Sequence, residues 1–237
     1  HGVRHSRERK HYREQTGPLT DKQIMRRMAG MLRRSKMTNV QELLRARVPI
    51  IKVSDPVSGF QIDLCLNNEL VHHNTELLRS YGGLDPRVRP LALIVKYWAK
   101  QRGINETYRG TLSSYAYVLM LINFLQIHTP PVLPCLQRMQ NGRAVAEGEK
   151  VPVQLLESSN ATACDVYFDR SVTSFDGGNK ESIAELLISF FRHFAFEFDY
   201  SSSVVCTRLG TLISRVSKSW DEATVAQMIA KAEADAD

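Results

Sequence analysis

Two short apolar runs, Val48-Pro49-Ile50-Ile51-Lys52-Val53 and Phe60-Gln61-Ile62-Asp63-Leu64-Cys65-Leu66, are separated by a stretch holding Asp55-Pro56 and Ser58-Gly59, and from Thr75 onward the apolar spacing becomes helical. Runs of this length around turn residues read as an antiparallel strand pair. A strand pair followed by helices makes the chain α+β. On the second run Phe60, Ile62 and Leu64 share one face and Gln61, Asp63 and Cys65 the other, so Asp63 is expected to point away from the packed side.

The helical segments carry their own start and stop signals. Thr20 and Gln23 form a capping box; Ile24, Met28, Met31 and Leu32 recur on one face, with Arg26, Arg27, Arg33 and Arg34 largely off it. An amphipathic helix ending near Ser35 is expected. Leu91, Ile94, Val95 and Trp98 make a stripe in a helix opened by Pro90, and Leu112 through Gln126 makes another that halts before Thr129-Pro130-Pro131. Residues 130–180, with Pro134, Pro152 and Gly177-Gly178, read as loop-rich, with room for short strands. Ser182 caps an apolar helix through Ile183, Leu186, Leu187, Phe190, Phe191 and Phe194, and Ser203-Val204-Val205-Cys206 reads as extended. There are no internal repeats.

At 237 residues, 43% apolar and 24% charged, the chain is long enough to bury one or two cores. No apolar run approaches the ~20 residues of a membrane-spanning helix, and the N-terminus is basic rather than an apolar export signal, so an intracellular protein without a membrane partner is expected. Cys65, Cys135, Cys164 and Cys206 are widely spaced with no C-x-x-C pair, which reads as reduced thiols, mostly in the core, rather than a zinc site. Of the net +6, the first 36 residues carry +8, with 11 Lys/Arg against Glu8, Glu14 and Asp21. Such a block suits a polyanion, or is simply a solvated tail. Residues 1–18, ending in Gly17-Pro18, read as a flexible arm.

Asp63 on a strand is by itself no more than an edge residue hydrogen-bonded to a turn. It leads, however, into Asn67-Asn68 and His73-Asn74-Thr75, amide and hydroxyl groups able to bind ribose, base edges or phosphate. Lys96 and Lys100 stand four apart, either a solvated pair or a clamp bridged by an anion such as a triphosphate. Gly110-Thr111-Leu112-Ser113-Ser114-Tyr115 opens a helix where hydroxyls and free N–H groups favour phosphate and Tyr115 is placed to stack on a base; the plainer account is a Ser cap with a core tyrosine.

Quoted together, ARVPIIKVSDPVSGFQIDLCLNNELVHHNT, LDPRVRPLALIVKYWAKQRGIN and RGTLSSYAYVLMLINFLQ resemble the terminal uridylyltransferases and atypical poly(A) polymerases of the DNA polymerase β-like nucleotidyltransferase superfamily over about Arg45 to Pro134, and SIAELLISFFRHFAFEFDY resembles their poly(A)-polymerase-associated segment. The resemblance implies a partial polymerase β-like palm, of antiparallel strands plus a helix, joined to a mostly helical central domain. It divides the chain into the arm 1–18, palm 19–67, helical domain 68–220 and an unassigned C-terminal helix 221–237. It implies template-independent addition of UMP from UTP to an RNA 3′ end with two Mg²⁺ (or Mn²⁺) ions, ATP or CTP being alternatives, and a cytoplasmic location. By position, Asp63 is similar to the third metal-binding carboxylate, Asn68 to a ribose contact, Asn74 and Thr75 to residues facing base and sugar, Lys96 and Lys100 to the triphosphate clamp, and Ser114 and Tyr115 to a phosphate contact and the platform under the base. Arg26, Arg27, Arg33 and Arg34 are expected to hold RNA.

The family's first two aspartates follow a Gly-Ser dipeptide in an Asp-x-Asp, and this chain has no Gly-Ser; its one Asp-x-Asp, Asp235-Ala236-Asp237, lies at the extreme C-terminus, outside any strand context. The base-selecting motif near the family's C-terminus is also absent. With His1 in first place, the sequence is expected to be a piece of a longer transferase; the rival is a non-catalytic RNA-binding module that keeps the helical domain.

Overall fold

A computed structural model of the chain describes residues 19–46, 48–158 and 161–220; the arm expected at 1–18 and the helix expected at 221–237 lie outside these. The described residues divide into two compact units, one of residues up to 69 with residue 158, the other of 70–157 and 161–220.

The first unit begins with helix α1 (Asp21–Arg34), opened by the Thr20–Gln23 capping box and closed at Ser35. Strand β1 (Thr38–Leu43) follows, then β2 (Ile50–Ser54) and β3 (Gln61–Cys65), forming an antiparallel sheet in the order β1-β2-β3. The expected pair is β2–β3, with Ile51 opposite Leu64 and Lys52 opposite Asp63. Helix α1 covers the face bearing Ile51 and Leu64, inserting Met25, Met28, Ala29 and Leu32. The apolar stripe thus lies one position round from the expected one: Met31 is 52% exposed and Met25 takes its place in the core. With that face covered, the period of two leaves Lys52 and Asp63 on the other.

The second unit is built on α2 (Leu70–Leu84), α3 (Val88–Gln101), α4 (Ser114–Ile127) and α5 (Ile183–Arg192), the last running into a π-helical turn at His193–Glu197. Helix α2 starts before Thr75, so His73, Asn74 and Thr75 all lie on it. Helix α3 buries Val88, Leu91, Val95 and Ala99, spaced by three or four; Ile94, expected in the stripe, is exposed. Its Trp98 packs edge-on against Tyr117 and Phe191. Helix α4 begins after an N-cap at Ser113, whose Oγ accepts from the Ala116 N–H at 3.1 Å, so Leu112 lies outside the helix. Ser182 caps α5 as expected, forming with Glu185 a capping box, and Leu186, Phe190 and Phe194 enter the core.

The loop-rich stretch holds two small ribbons, β4 (Met139–Gln140) with β5 (Arg143–Ala144) and β6 (Leu155–Ser158) with β7 (Ala161–Asp165), and the extended run 203–206 is β8 (Ser203–Cys206), paired with β9 (Thr211–Ser214). No disulfide joins the four cysteines, and none is a core residue: Cys65 is exposed and the other three are partly so. Cys65 shares the uncovered face of β3 with Asp63, which is why it is not buried. Among the described residues no helix is long and apolar enough to cross a membrane.

Candidate active site

Within the first unit, the sheet face opposite α1 is polar over one end. Asn39 and Gln41 from β1, Lys52 and Ser54 from β2, and Gln61 and Asp63 from β3 line a depression of about 430 Å³. Asp63 is exposed, so its carboxylate keeps its water and is open to a cation. An accessible carboxylate among amide and hydroxyl oxygens suits a hard divalent ion. Among the described residues no group of three His, Cys, Asp or Glu stands ready to hold a metal. Asn68 is half-buried just beyond β3. On α1, Arg26, Arg27, Arg33 and Arg34 are all exposed, and Arg33 is engaged within the unit: it pairs with Glu42 at 2.9 Å and donates to the Val40 carbonyl at 3.4 Å.

Within the second unit, Asn74 and Tyr115 share a recess of about 190 Å³. Helix α2 contributes Leu70, His73, Asn74 and Leu77, the i, i+3, i+4, i+7 set that shares one face; that spacing turns Thr75 off the recess, and it is exposed. Tyr115, in the first turn of α4, is 37% exposed and burial raises its phenol pKa. Ser114 accepts a 3.1 Å hydrogen bond from the Asn105 amide. Lys96 and Lys100 lie exposed on α3 and do not line this recess.

The other wall comes from residues that sequence reasoning did not single out: Gln137, Asp165, Thr207 and Arg208. They arrive from far apart in the chain, and the turn that carries Thr207 and Arg208 is fixed by side-chain bonds to its backbone. Buried Gln126 of α4 donates to Tyr81 Oη at 2.9 Å and to the Thr207 carbonyl at 3.2 Å, and Asn123, one turn earlier, donates to the carbonyls of Cys206 and Thr211. The Cys135 thiol, its pKa pushed up to about 11 by burial, donates to the Thr207 and Arg208 carbonyls. Gly210, at a φ of 62°, turns the chain against Cys135, where a Cβ would come within 2.8 Å of the cysteine Cβ. Arg208 is held by Asp165, donating to its carboxylate at 2.6 Å and also to its carbonyl oxygen. Burial alone would raise the Asp165 pKa; the N–H groups of Tyr167 and Gln154, with Arg208, outweigh it and hold the carboxyl below the usual range. The one local signal for this wall was the apolar run 203–206, which marks the strand but not the residues after it.

Residues 6–83 match the family model of the mitochondrial-like poly(A) RNA polymerase central palm domain, and residues 182–231 match that of the Cid1 family poly(A) polymerase. The chain belongs to the terminal uridylyltransferase and poly(A) polymerase family. Among its relatives, the poly(A) RNA polymerase cid11 of Schizosaccharomyces pombe is 38% identical over 81% of this chain and 37% of its own length. Human terminal uridylyltransferase 4 is 34% identical over 90% of this chain and 13% of its own length. A crystal structure of the Cid1 poly(U) polymerase with Mg and 3′-dATP superposes with a TM-score of 0.71 at 34% identity, covering 88% of this chain and 62% of that one. The α+β fold with a polymerase β-like palm accords with that likeness. The chain spans about a third of the cid11 relative and about an eighth of the uridylyltransferase.

Proposed function

We propose that this chain forms the nucleotide-gripping part of a template-independent RNA 3′-terminal nucleotidyltransferase that adds UMP from UTP. The observation that carries it is that Asn74 and Tyr115 line one recess, an aromatic face with a carboxamide, which is what a flat heterocycle with a polar edge requires. Similarity to a poly(U) polymerase and a uridylyltransferase supports uridine, and similarity to cid11 supports adenosine as the competing substrate.

In this reading Asp63 holds Mg²⁺ (or Mn²⁺) together with carboxylates supplied elsewhere in the protein; when bound, the metal supplies charge neutralisation for the triphosphate. Tyr115 carries the base face, Asn74 and Thr75 meet the base and sugar, Asn68 the ribose, and Ser114 a phosphate. Lys96 and Lys100, exposed one turn apart on α3, put two ammonium groups on one helix face. Like charges so placed repel mildly when nothing lies between them, and a polyphosphate turns that repulsion into a clamp. Arg26, Arg27 and Arg34 hold the RNA through its phosphates. The cytoplasm is the compartment proposed, on the resemblance alone.

The test is to incubate the full-length protein with labelled RNA, Mg²⁺ or Mn²⁺ and each nucleoside triphosphate singly. UTP should give the longest products. Asp63→Ala should abolish extension with the melting temperature unchanged, since the side chain is exposed and makes no core contact. Failure of the native protein to extend RNA with any nucleotide would overturn the enzymatic reading, and ATP giving the longer tails would make it a poly(A) polymerase.

A further inference from the structure

Beside Asn74 and Tyr115, the recess presents Gln137 and Arg208. Gln137 is 8% exposed, and its carboxamide oxygen is buried without a hydrogen-bond partner. Nδ1 of His73, from the same lining, is in the same condition. A buried acceptor left unpaired is unfavourable, so a ligand that supplies the missing donor is bound more tightly for doing so. The terminal torsion of a glutamine is soft, and the carboxamide can turn toward an entering group at little cost. Arg208 differs: Asp165 uses two of its five N–H groups and fixes its direction, which leaves a pre-oriented donor in the wall.

The character of the recess decides which part of a nucleotide it takes. Arg208 and Asp165 pair at 2.6 Å and cancel, so no surplus cation faces a triphosphate. Leu70, Leu77, Leu119 and Phe168 make the remaining wall apolar. At about 190 Å³ the space is below the roughly 300–1,000 Å³ of sites that enclose whole small molecules. A neutral, apolar-sided slot with a few polar groups fits a single heterocycle and leaves sugar and phosphates outside.

We propose that Gln137 and Arg208 read the hydrogen-bonding edge of the nucleobase lying against Tyr115, and so determine which nucleoside triphosphate is preferred. This rests on the nucleotidyltransferase reading above. Arg208 donates to a carbonyl oxygen of the base, and Gln137, turned into the recess, accepts from the neighbouring ring N–H. The edge of uracil, an N–H flanked by two carbonyl oxygens, satisfies both.

The experiment is steady-state kinetics of the full-length protein with each of the four nucleoside triphosphates, alongside thermal unfolding, for Gln137→Met, Gln137→Glu and Arg208→Lys. Gln137→Met keeps the volume and removes both hydrogen-bonding groups. It should lower the kcat/KM ratio of the preferred over the next-best nucleotide at least about tenfold, through KM, with kcat within about threefold. Gln137→Glu keeps the shape and one acceptor, and should shift the ratio less. Arg208→Lys should weaken discrimination with melting close to native. Ratios unchanged in folded variants, or an equal fall for all four nucleotides, overturn the proposal while the native activity leaves the nucleotidyltransferase reading standing. If Gln137→Met unfolds, Gln137→Glu and Arg208→Lys decide by the same ratios. A native protein that extends RNA with no nucleotide defeats both.

Discussion

Tyr115 combines a ring partly open to solvent with a hydroxyl that makes no hydrogen bond among the described residues. Burial raises its pKa, so it stays neutral at physiological pH. What it offers a ligand is therefore its face. Base-on-aromatic stacking is worth about 1–3 kcal/mol, so Tyr115→Ala should raise KM for the nucleotide roughly 5- to 150-fold, while Tyr115→Phe should stay within about twofold. Steady-state kinetics of both variants check this, and a large effect of the phenylalanine variant would mean that the hydroxyl, not the ring, is used. Tyr115 was legible because it closely follows a Ser cap on a helix whose start the sequence announces. Gln137 and Arg208 were not, because neither belongs to a periodic segment; only the bonds of Gln126 and Cys135 to the Thr207–Arg208 backbone bring the latter into the wall.

Strands and helices were legible in proportion to the regularity of their burial. In β2 buried Ile51 and Val53 flank exposed Lys52, an alternation the sequence shows, whereas in β3 Ile62 is 36% exposed beside half-buried Leu64, and β1, with only Val40 and Leu43 apolar and a register shift between Thr38 and Gln41, carries too sparse a pattern to announce a strand. The turn from α2 to α3 shows another limit, since its main support lies far along the chain. Arg87 there donates to Asp85 at 2.9 and 2.7 Å, to the Asn179 carboxamide oxygen at 2.8 Å and to the Glu181 carbonyl at 2.6 Å, fastening the segment before α5 to the start of α3. Both charged side chains are less than a fifth exposed. Removing one member of such a set leaves its partners unpaired, so Arg87→Met should cost about 2–4 kcal/mol at neutral pH by urea unfolding. The Arg87 side-chain hydrogen bond is the largest influence holding the Asp85 carboxyl below its ordinary pKa. A carboxylate depressed in the folded state stabilises it above the unfolded pKa, and that contribution is lost as pH falls through the folded value. The gap between native and Arg87→Met should therefore be full at pH 7 and shrink as Asp85 protonates under acid. A gap that does not change with pH would place the loss in packing rather than charge.

Over the whole molecule, charge is distributed as unevenly as structure. The first 36 residues hold +8 and the remainder −2, which concentrates attraction for a polyanion at one end of the sequence. Which of those cations are available could not be read from the sequence, where Arg26, Arg27, Arg33 and Arg34 look alike. Arg33 is committed to Glu42 and the Val40 carbonyl of β1; the other three are exposed on α1. Counterion release assigns about 0.7 to the salt slope of single-strand binding for each phosphate neutralised. Replacing Arg26, Arg27 and Arg34 together by Gln should accordingly lower the slope of log K against log salt by about 2 for an unstructured oligoribonucleotide, measured by fluorescence anisotropy between 50 and 300 mM KCl as a roughly chosen range. Arg33→Gln alone should leave the slope as it was. Because the Arg33–Glu42 pair is partly exposed, its loss should cost no more than about 1 kcal/mol of stability. If Arg33→Gln flattens the slope as much as any of the other three, the arginine is exchanging its partner on β1 for RNA, and the division between structural and binding cations on this helix is wrong.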